Sequence, residues 1–230
     1  ERLIELHPWA GMARFARTGG EANAIAVRIA RAYTGKSKIA FCGYHGWHDW
    51  YLSANLMDSK NLDKQLLSGL SPAGVPTELQ ATSVPFNEGD LNTLEAVLAK
   101  GDVAAIKMEV MRSRSPSLSY LKNIRELADK NSCLLIFDEC TSGFRESYGG
   151  LHLNYGVSPD LTILGKALGN GYAITSVLGT EAVMNSSQST FISSTFFGER
   201  LGFVAALASL EEMKRTKSWE VISKTGADFK

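Results

Sequence analysis

Leu161-Thr-Ile-Leu-Gly-Lys-Ala-Leu-Gly169 is a short apolar run that delivers a single lysine, Lys166, between Gly165 and Gly169. Lysine loses strong hydration when it leaves water, and burial lowers its pKa until the neutral amine is a usable nucleophile toward carbonyl carbon. The run therefore predicts a partly desolvated amine held for chemistry. Upstream, Leu134-Leu-Ile-Phe-Asp-Glu139 reads as a buried strand whose apolar run ends in a carboxylate, Asp138, ahead of the loop Cys140-Thr-Ser-Gly-Phe-Arg145. An acid at one strand end and a lysine at the next make a pair suited to gripping opposite parts of one ligand. Taken singly, each also has an ordinary reading, as a strand-end or capping acid and a solvated loop lysine.

Outward from this pair the pattern alternates. Val103-Ala-Ala-Ile-Lys-Met-Glu-Val110 reads as a buried strand, and Leu121, Ile124, Leu127 and Ala128 mark a helix before the Leu134 run. Asp90 caps a helix with Leu91, Leu94, Val97 and Leu98 on one face, and Gly101 ends it. Lys38-Ile-Ala-Phe-Cys42 is a further strand, Thr82-Ser-Val-Pro-Phe86 a short one cut by Pro85, and Tyr172 to Gly179 a returning one. Near-continuous apolar strands alternating with helices predict an α/β fold of three layers, α/β/α, with a mainly parallel sheet and ligands at the carboxyl ends of the strands. Residues 55–83 give a long, partly irregular excursion, and no repeat or low-complexity linker divides the chain.

Near the start, Ala13-Arg-Phe-Ala-Arg17 is extended in character, Thr18-Gly19-Gly20 breaks it, and Glu21 opens a helix whose apolar face is Ala22, Ile25, Ala26, Ile29, Ala30 and Tyr33. Strand, glycine turn and helix start are the parts of an anion site, although a plain tight turn has the same composition. Gly43-Tyr-His-Gly-Trp-His-Asp-Trp-Tyr51 is a strand-end loop in which Tyr44 is placed to lie on a planar ligand and His45 to hydrogen-bond near it. His48, Asp49 and Trp50 read as loop packing, and no metal-ligand spacing is present. Phe191-Ile-Ser-Ser-Thr-Phe-Phe-Gly198 sets hydroxyls just ahead of a long helix from Leu201 that ends in the basic turn Lys214-Arg-Thr-Lys217, with another helix starting near Trp219.

Balanced charge, 24 Lys plus Arg against 24 Asp plus Glu, with 44% hydrophobic residues, describes an ordinary globular protein and argues against nucleic acid or an anionic membrane as partner. No stretch approaches the ~20 apolar residues of a membrane span, so a cytoplasmic location is expected. Cys42, Cys133 and Cys140 lack paired spacing and read as structural thiols.

These residues resemble fold-type I pyridoxal-phosphate enzymes, in particular class III aminotransferases and the related glutamate-1-semialdehyde aminomutases. The resemblance rests on Thr18-Gly-Gly-Glu-Ala22, Arg28-Ile-Ala-Arg-Ala-Tyr-Thr-Gly35, Tyr44-His-Gly46, Asp138-Glu-Cys-Thr-Ser-Gly-Phe-Arg145, Ser158-Pro-Asp-Leu161 and Leu164-Gly-Lys-Ala-Leu168. It implies pyridoxal 5'-phosphate as cofactor, Lys166 as its Schiff-base lysine, Asp138 beside the ring nitrogen, Tyr44 on the ring face, and Gly19 and Gly20 on the phosphate. It also implies Thr195 on the phosphate of a neighbouring subunit, hence a homodimer with shared sites. The expected activity is amino-group transfer between a small-molecule amino donor and a carbonyl acceptor. An intramolecular aminomutase would use the same machinery, and a non-catalytic binding or assembly module on this fold is a third reading. Gly20 stands where relatives carry a hydroxyl, Glu109-Val-Met111 replaces a Glu-Pro pair, and Arg112-Ser-Arg-Ser-Pro116 departs from a glycine-containing run. Residues 1–230 are expected to be the cofactor-binding large domain, a fragment without the terminal small domain.

Overall fold

The apolar runs become seven strands of one sheet because each alternate side chain finds a helix to pack against. The computed structural model describes residues 1–112 and 114–229. In chain order its elements are α1 (Arg2–Leu6), β1 (Met12–Ala16), α2 (Gly19–Thr34), β2 (Lys38–Cys42), α3 (Asp49–Leu52), β3 (Ser83–Pro85), α4 (Leu91–Leu98), β4 (Val103–Glu109), α5 (Leu118–Lys130), β5 (Leu134–Glu139), α6 (His152–Tyr155), β6 (Leu161–Leu164), β7 (Thr175–Gly179), α7 (Glu181–Asn185), α8 (Leu201–Thr216) and α9 (Ser218–Asp228). The strands lie in the order β1-β7-β6-β5-β4-β2-β3. The pairings from β6 through to β3 are all parallel, and β7 runs against both of its neighbours. The sheet is therefore mainly parallel, as expected, with β7 as the one reversed strand.

Alternation divides the core. Ile136, Ile163 and Val177 face a cluster with Ala22, Ala26 and Ile29 of α2. On the other face, Leu135 and Phe137 pack with Leu94 and Leu98 of α4 and Leu121 and Ile124 of α5. Leu164 and Leu178 meet Ala206 and Leu210 of α8 on that side, nearer β1. This is the three-layer α/β/α arrangement, and no helix of the described residues is long and apolar enough to cross a membrane.

Several boundaries differ from expectation. α2 begins at Gly19, not Glu21, because Thr18 caps it by accepting the Glu21 N–H. β7 starts at Thr175, since Gly171 and the turn through Tyr172 consume the residues ahead of it. The three thiols are free and buried. Ser113, within the Arg112–Pro116 run, lies outside the described residues.

The end of β5 is held by an unusually complete set of donors. Glu139 is fully buried and accepts from the backbone N–H groups of Leu151 and His152, from Ser142 Oγ and from His152 Nδ1. His152 Nε2 in turn accepts from Trp9 Nε1 at 3.0 Å, which fixes the neutral tautomer. Burial alone would raise the Glu139 pKa, but these donors outweigh it and hold the carboxyl below its ordinary value. A depressed carboxyl contributes stability above its unfolded pKa, and that contribution fades as pH falls through the folded value. Glu139→Gln should cost about 1.5–3 kcal/mol in urea unfolding at pH 7 and flatten the acid limb of the stability profile; an unchanged midpoint would contradict this account.

Candidate active site

Parallel strands bring their carboxyl ends to one edge of the sheet, and helix starts that follow strands fall at the same edge. Tyr44 after β2, Glu109 on β4, Asp138 and Thr141 at β5, and Lys166 after β6 all lie there. So does the start of α2. Thr175 Oγ donates to the Thr18 carbonyl oxygen at 3.2 Å, linking the foot of β7 to the glycine turn. The structure thus gathers at one edge of the sheet the sequence-predicted Gly19, Gly20, Tyr44, Asp138 and Lys166.

Asp138 is 4% exposed. Its Oδ1 accepts the Cys140 N–H at 3.1 Å, and its Oδ2 lies 2.9 Å from His45 Nδ1. Burial pushes its pKa up, but the Lys107 charge and the His45 contact prevail and hold it well below the carboxylate range. His45 is itself buried, its Nε2 facing the Cys42 carbonyl oxygen at 3.0 Å. Both of its ring nitrogens thus face protein acceptors, Asp138 Oδ2 and the Cys42 carbonyl oxygen. Burial, then Lys107, lowers its pKa.

Lys166 is exposed, which corrects the expectation of a desolvated amine. β6 stops at Leu164, and a short helical turn, Lys166–Leu168, carries the lysine out beyond the sheet edge. Its Nζ donates to Thr141 Oγ1 at 2.7 Å, joining the loops after β5 and β6. Its backbone has φ +45°, a left-handed value that is unusual for a side-chain-bearing residue. The lysine opens on a cleft also lined by Arg145, Asn170 and Glu212. Cys140, beneath it, is a neutral thiol: burial and then Asp138 raise its pKa.

The Tyr44 loop is seated by close backbone approach. Gly43 and Gly46 have φ +103° and +96°; a Cβ on Gly43 would fall 2.5 Å from Glu109 Oε2, and one on Gly46 3.0 Å from Gly20 Cα. Glu109, paired through both oxygens to Arg112, accepts the Tyr44 N–H at 3.1 Å. The altered Glu109 region is thus an ion pair that anchors this loop.

Two groups escaped the sequence reading. A Cβ on Gly20 would meet His48 Cε1 and Nδ1 at 2.7 Å, so the imidazole fills the space a hydroxyl side chain would take. Only the shared absence of a side chain at Gly20 hinted at it. Lys107 is fully buried 3.9 Å from Asp138 Oδ2; it stood in plain view inside the apolar β4 run. Thr195 is exposed in the helical turn Thr195–Gly198. Arg17 stacks on Phe196 at 4.1 Å, and Arg28 donates to the Phe191 carbonyl oxygen.

The class-III aminotransferase family model matches residues 1–230. A 3-aminobutyryl-CoA aminotransferase of Cloacimonas acidaminovorans is 40% identical, over 100% of this chain and 53% of that protein. A glutamate-1-semialdehyde 2,1-aminomutase of Methanothrix thermoacetophila is 36% identical, over 94% of this chain and 51% of its own length. The ornithine aminotransferase of Toxoplasma gondii, whose solved structure holds pyridoxal phosphate at partial occupancy, superposes with a TM-score of 0.83 at 25% identity, covering 99% of this chain and 55% of that one. The chain spans about half the length of the curated relatives it matches. Its residues fit pyridoxal phosphate: free N–H groups at the α2 start for a phosphate, an ionised buried acid for a ring nitrogen, Tyr44 for a ring face and an accessible amine. Family model, relatives and fold agree with that fit, and the chain belongs to the class-III aminotransferases.

Proposed function

We propose that this chain is the cofactor-binding large domain of an enzyme that transfers an amino group from a small-molecule donor to a carbonyl acceptor. The observation that carries the reading is the joint placement of Lys166 and Asp138 on adjacent strand ends, with the lysine tethered to Thr141 beside the acid. When bound, pyridoxal phosphate supplies an electron sink for the charge left on a substrate carbon. Asp138, kept ionised, holds a proton at the ring nitrogen so that the sink stays effective. The N–H groups at Gly19 and Gly20 and the α2 dipole take the phosphate, and Tyr44 covers a ring face. Lys166 Nζ anchors the cofactor and, when released, takes and returns the substrate proton. Burial of the amine has to come from the groups that close over it, because the chain itself leaves it exposed. Retention of Lys166 and Asp138 favours an enzyme over a non-catalytic module. An intramolecular aminomutase uses the same residues, and the 36% identical aminomutase keeps that reading open.

Reduction of the loaded protein with borohydride, followed by peptide mapping, is expected to place the cofactor on Lys166; a label on another lysine would sink the assignment.

His48 stands in for the missing hydroxyl of Gly20. Gly20→Thr is expected to overpack against the imidazole at about 1–3 kcal/mol and weaken cofactor retention. Adding His48→Ala should restore both in dialysis and thermal melts. If the double substitution retains no more cofactor than Gly20→Thr alone, His48 does not fill that role.

The working unit is a homodimer in which Thr195 of one copy reaches the phosphate held by the other. Phe191 is 83% exposed and Leu201 67%, with Val204, Leu207, Phe196 and Phe197 also open, an apolar surface suited to a second copy. A hydroxyl bond to a charged phosphate contributes roughly 1.5–3 kcal/mol, so Thr195→Ala should lower cofactor affinity tenfold or more. Mixing Thr195→Ala with Lys166→Ala chains places both defects in one site of the heterodimer and leaves the other intact. Equilibrium dialysis should then find one full-affinity site per heterodimer; its absence would rule out sharing across the interface.

A further inference from the structure

Lys107 lies on β4 between Phe41 of β2 and Ile136 of β5 in the sheet register, and it is fully buried. Among the described residues its Nζ has no hydrogen-bond partner, and its nearest opposite charge is Asp138 Oδ2 at 3.9 Å. A buried lysine with none of its three donors engaged needs a specific reason to persist. The same Asp138 oxygen faces His45 Nδ1, while His45 Nε2 faces the Cys42 carbonyl oxygen. Both His45 partners are acceptors, so both contacts are hydrogen bonds only when both ring nitrogens carry protons. Burial and a charged Lys107 oppose that cation.

The other charged and titratable groups near the amine do not alter this balance. Cys140, after β5, remains a neutral thiol, and Glu109, on the same strand, is already paired with Arg112. One carboxylate therefore stands opposite two basic groups in a space that burial makes hostile to more than one cation. A protonated ring nitrogen at Asp138 would be a third claimant. His45 has the lower ordinary pKa and burial lowers it further, so Lys107 is the cation left opposite Asp138; its Nζ makes no hydrogen bond and burial favours its neutral form, so it is the group that yields to a ring nitrogen.

We propose that Lys107 is a positioning residue for the cofactor's ring nitrogen, balancing Asp138 while the site is unloaded and releasing its Nζ proton to solvent when a protonated ring nitrogen takes up the carboxylate. Charge on Lys107 and a proton on the ring nitrogen then exclude each other. The proton balance is simple: the N–H bond of the ammonium breaks, its electron pair stays on Nζ, and the proton leaves to water. Lys107 thereby sets how strongly the ring nitrogen holds its own proton. This rests on the proposed contact between Asp138 and that nitrogen.

The test compares wild type, Lys107→Met, Lys107→Gln and Asp138→Asn on adding pyridoxal 5'-phosphate to the protein freed of cofactor. A pH dye in lightly buffered solution counts protons, and the absorbance of the bound cofactor is followed against pH. Wild type should release about one more proton per site than either Lys107 variant. The pH at which the ring nitrogen loses its proton should be higher in both variants, where no competing cation remains. The glutamine variant covers the case in which methionine disturbs the fold. If both folded variants match wild type in proton count and spectral midpoint while Asp138→Asn shifts the spectrum, the Lys107 role falls and the Asp138 contact stands. If Asp138→Asn also leaves the spectrum unchanged, the proposed function fails at its root.

Discussion

The structure depends on two consecutive carboxylates, Asp138 and Glu139, buried at the carboxyl end of the central strand β5. Successive side chains of a strand point to opposite faces, so the two acids enter different environments. Each would be costly alone. Glu139 is satisfied entirely by the protein, through the Ser142 hydroxyl, two backbone N–H groups and His152, and so ties the loop after β5 to α6. Asp138 is satisfied from one side by His45 and Cys140. The division explains why one acid is architecture while the other is available to a ligand.

The reversed strand β7 completes this geometry. Had the chain after Lys166 crossed over to another parallel strand, it would have left the ligand edge by a long connection. Instead it turns within a few residues and comes back along β6, with Thr175 bonded to the backbone of the Thr18 turn. The lysine-bearing loop and the start of α2 are thereby neighbours, although 147 positions separate Gly19 from Lys166 in the chain. The glycine turn and the lysine-bearing loop are fixed to each other through the shared edge of one strand.

How much of this was legible follows from what a linear pattern can encode. Apolar runs and their intervening helices gave the α/β class, most strands and the strand-end positions of Asp138 and Lys166, since burial and alternation are local properties. The start of α2 was missed by two residues because the Thr18 cap was read as part of the break. The exposure of Lys166 was not legible, since its short apolar neighbourhood describes the strand that delivers it and not the turn that ejects it. The contact of His45 with Asp138 was not legible, since 93 positions separate the two residues. Lys107 was overlooked for the opposite reason: one lysine among apolar residues looks like a tolerated exception until its burial and distance to Asp138 are known.

Lys166 occupies its turn with φ +45°, a conformation glycine or asparagine adopts at lower cost. The neighbouring Asn170, at φ +44°, is the residue type such a turn prefers. Local strain of this kind persists only where surrounding structure enforces it, at a cost on the order of 1–3 kcal/mol. The fold thus holds this side chain at a position where thermodynamic selection alone would choose another. Drift under selection for stability alone would replace Lys166 before it eroded the sheet, so a copy of this chain could keep its architecture and lose its amine early.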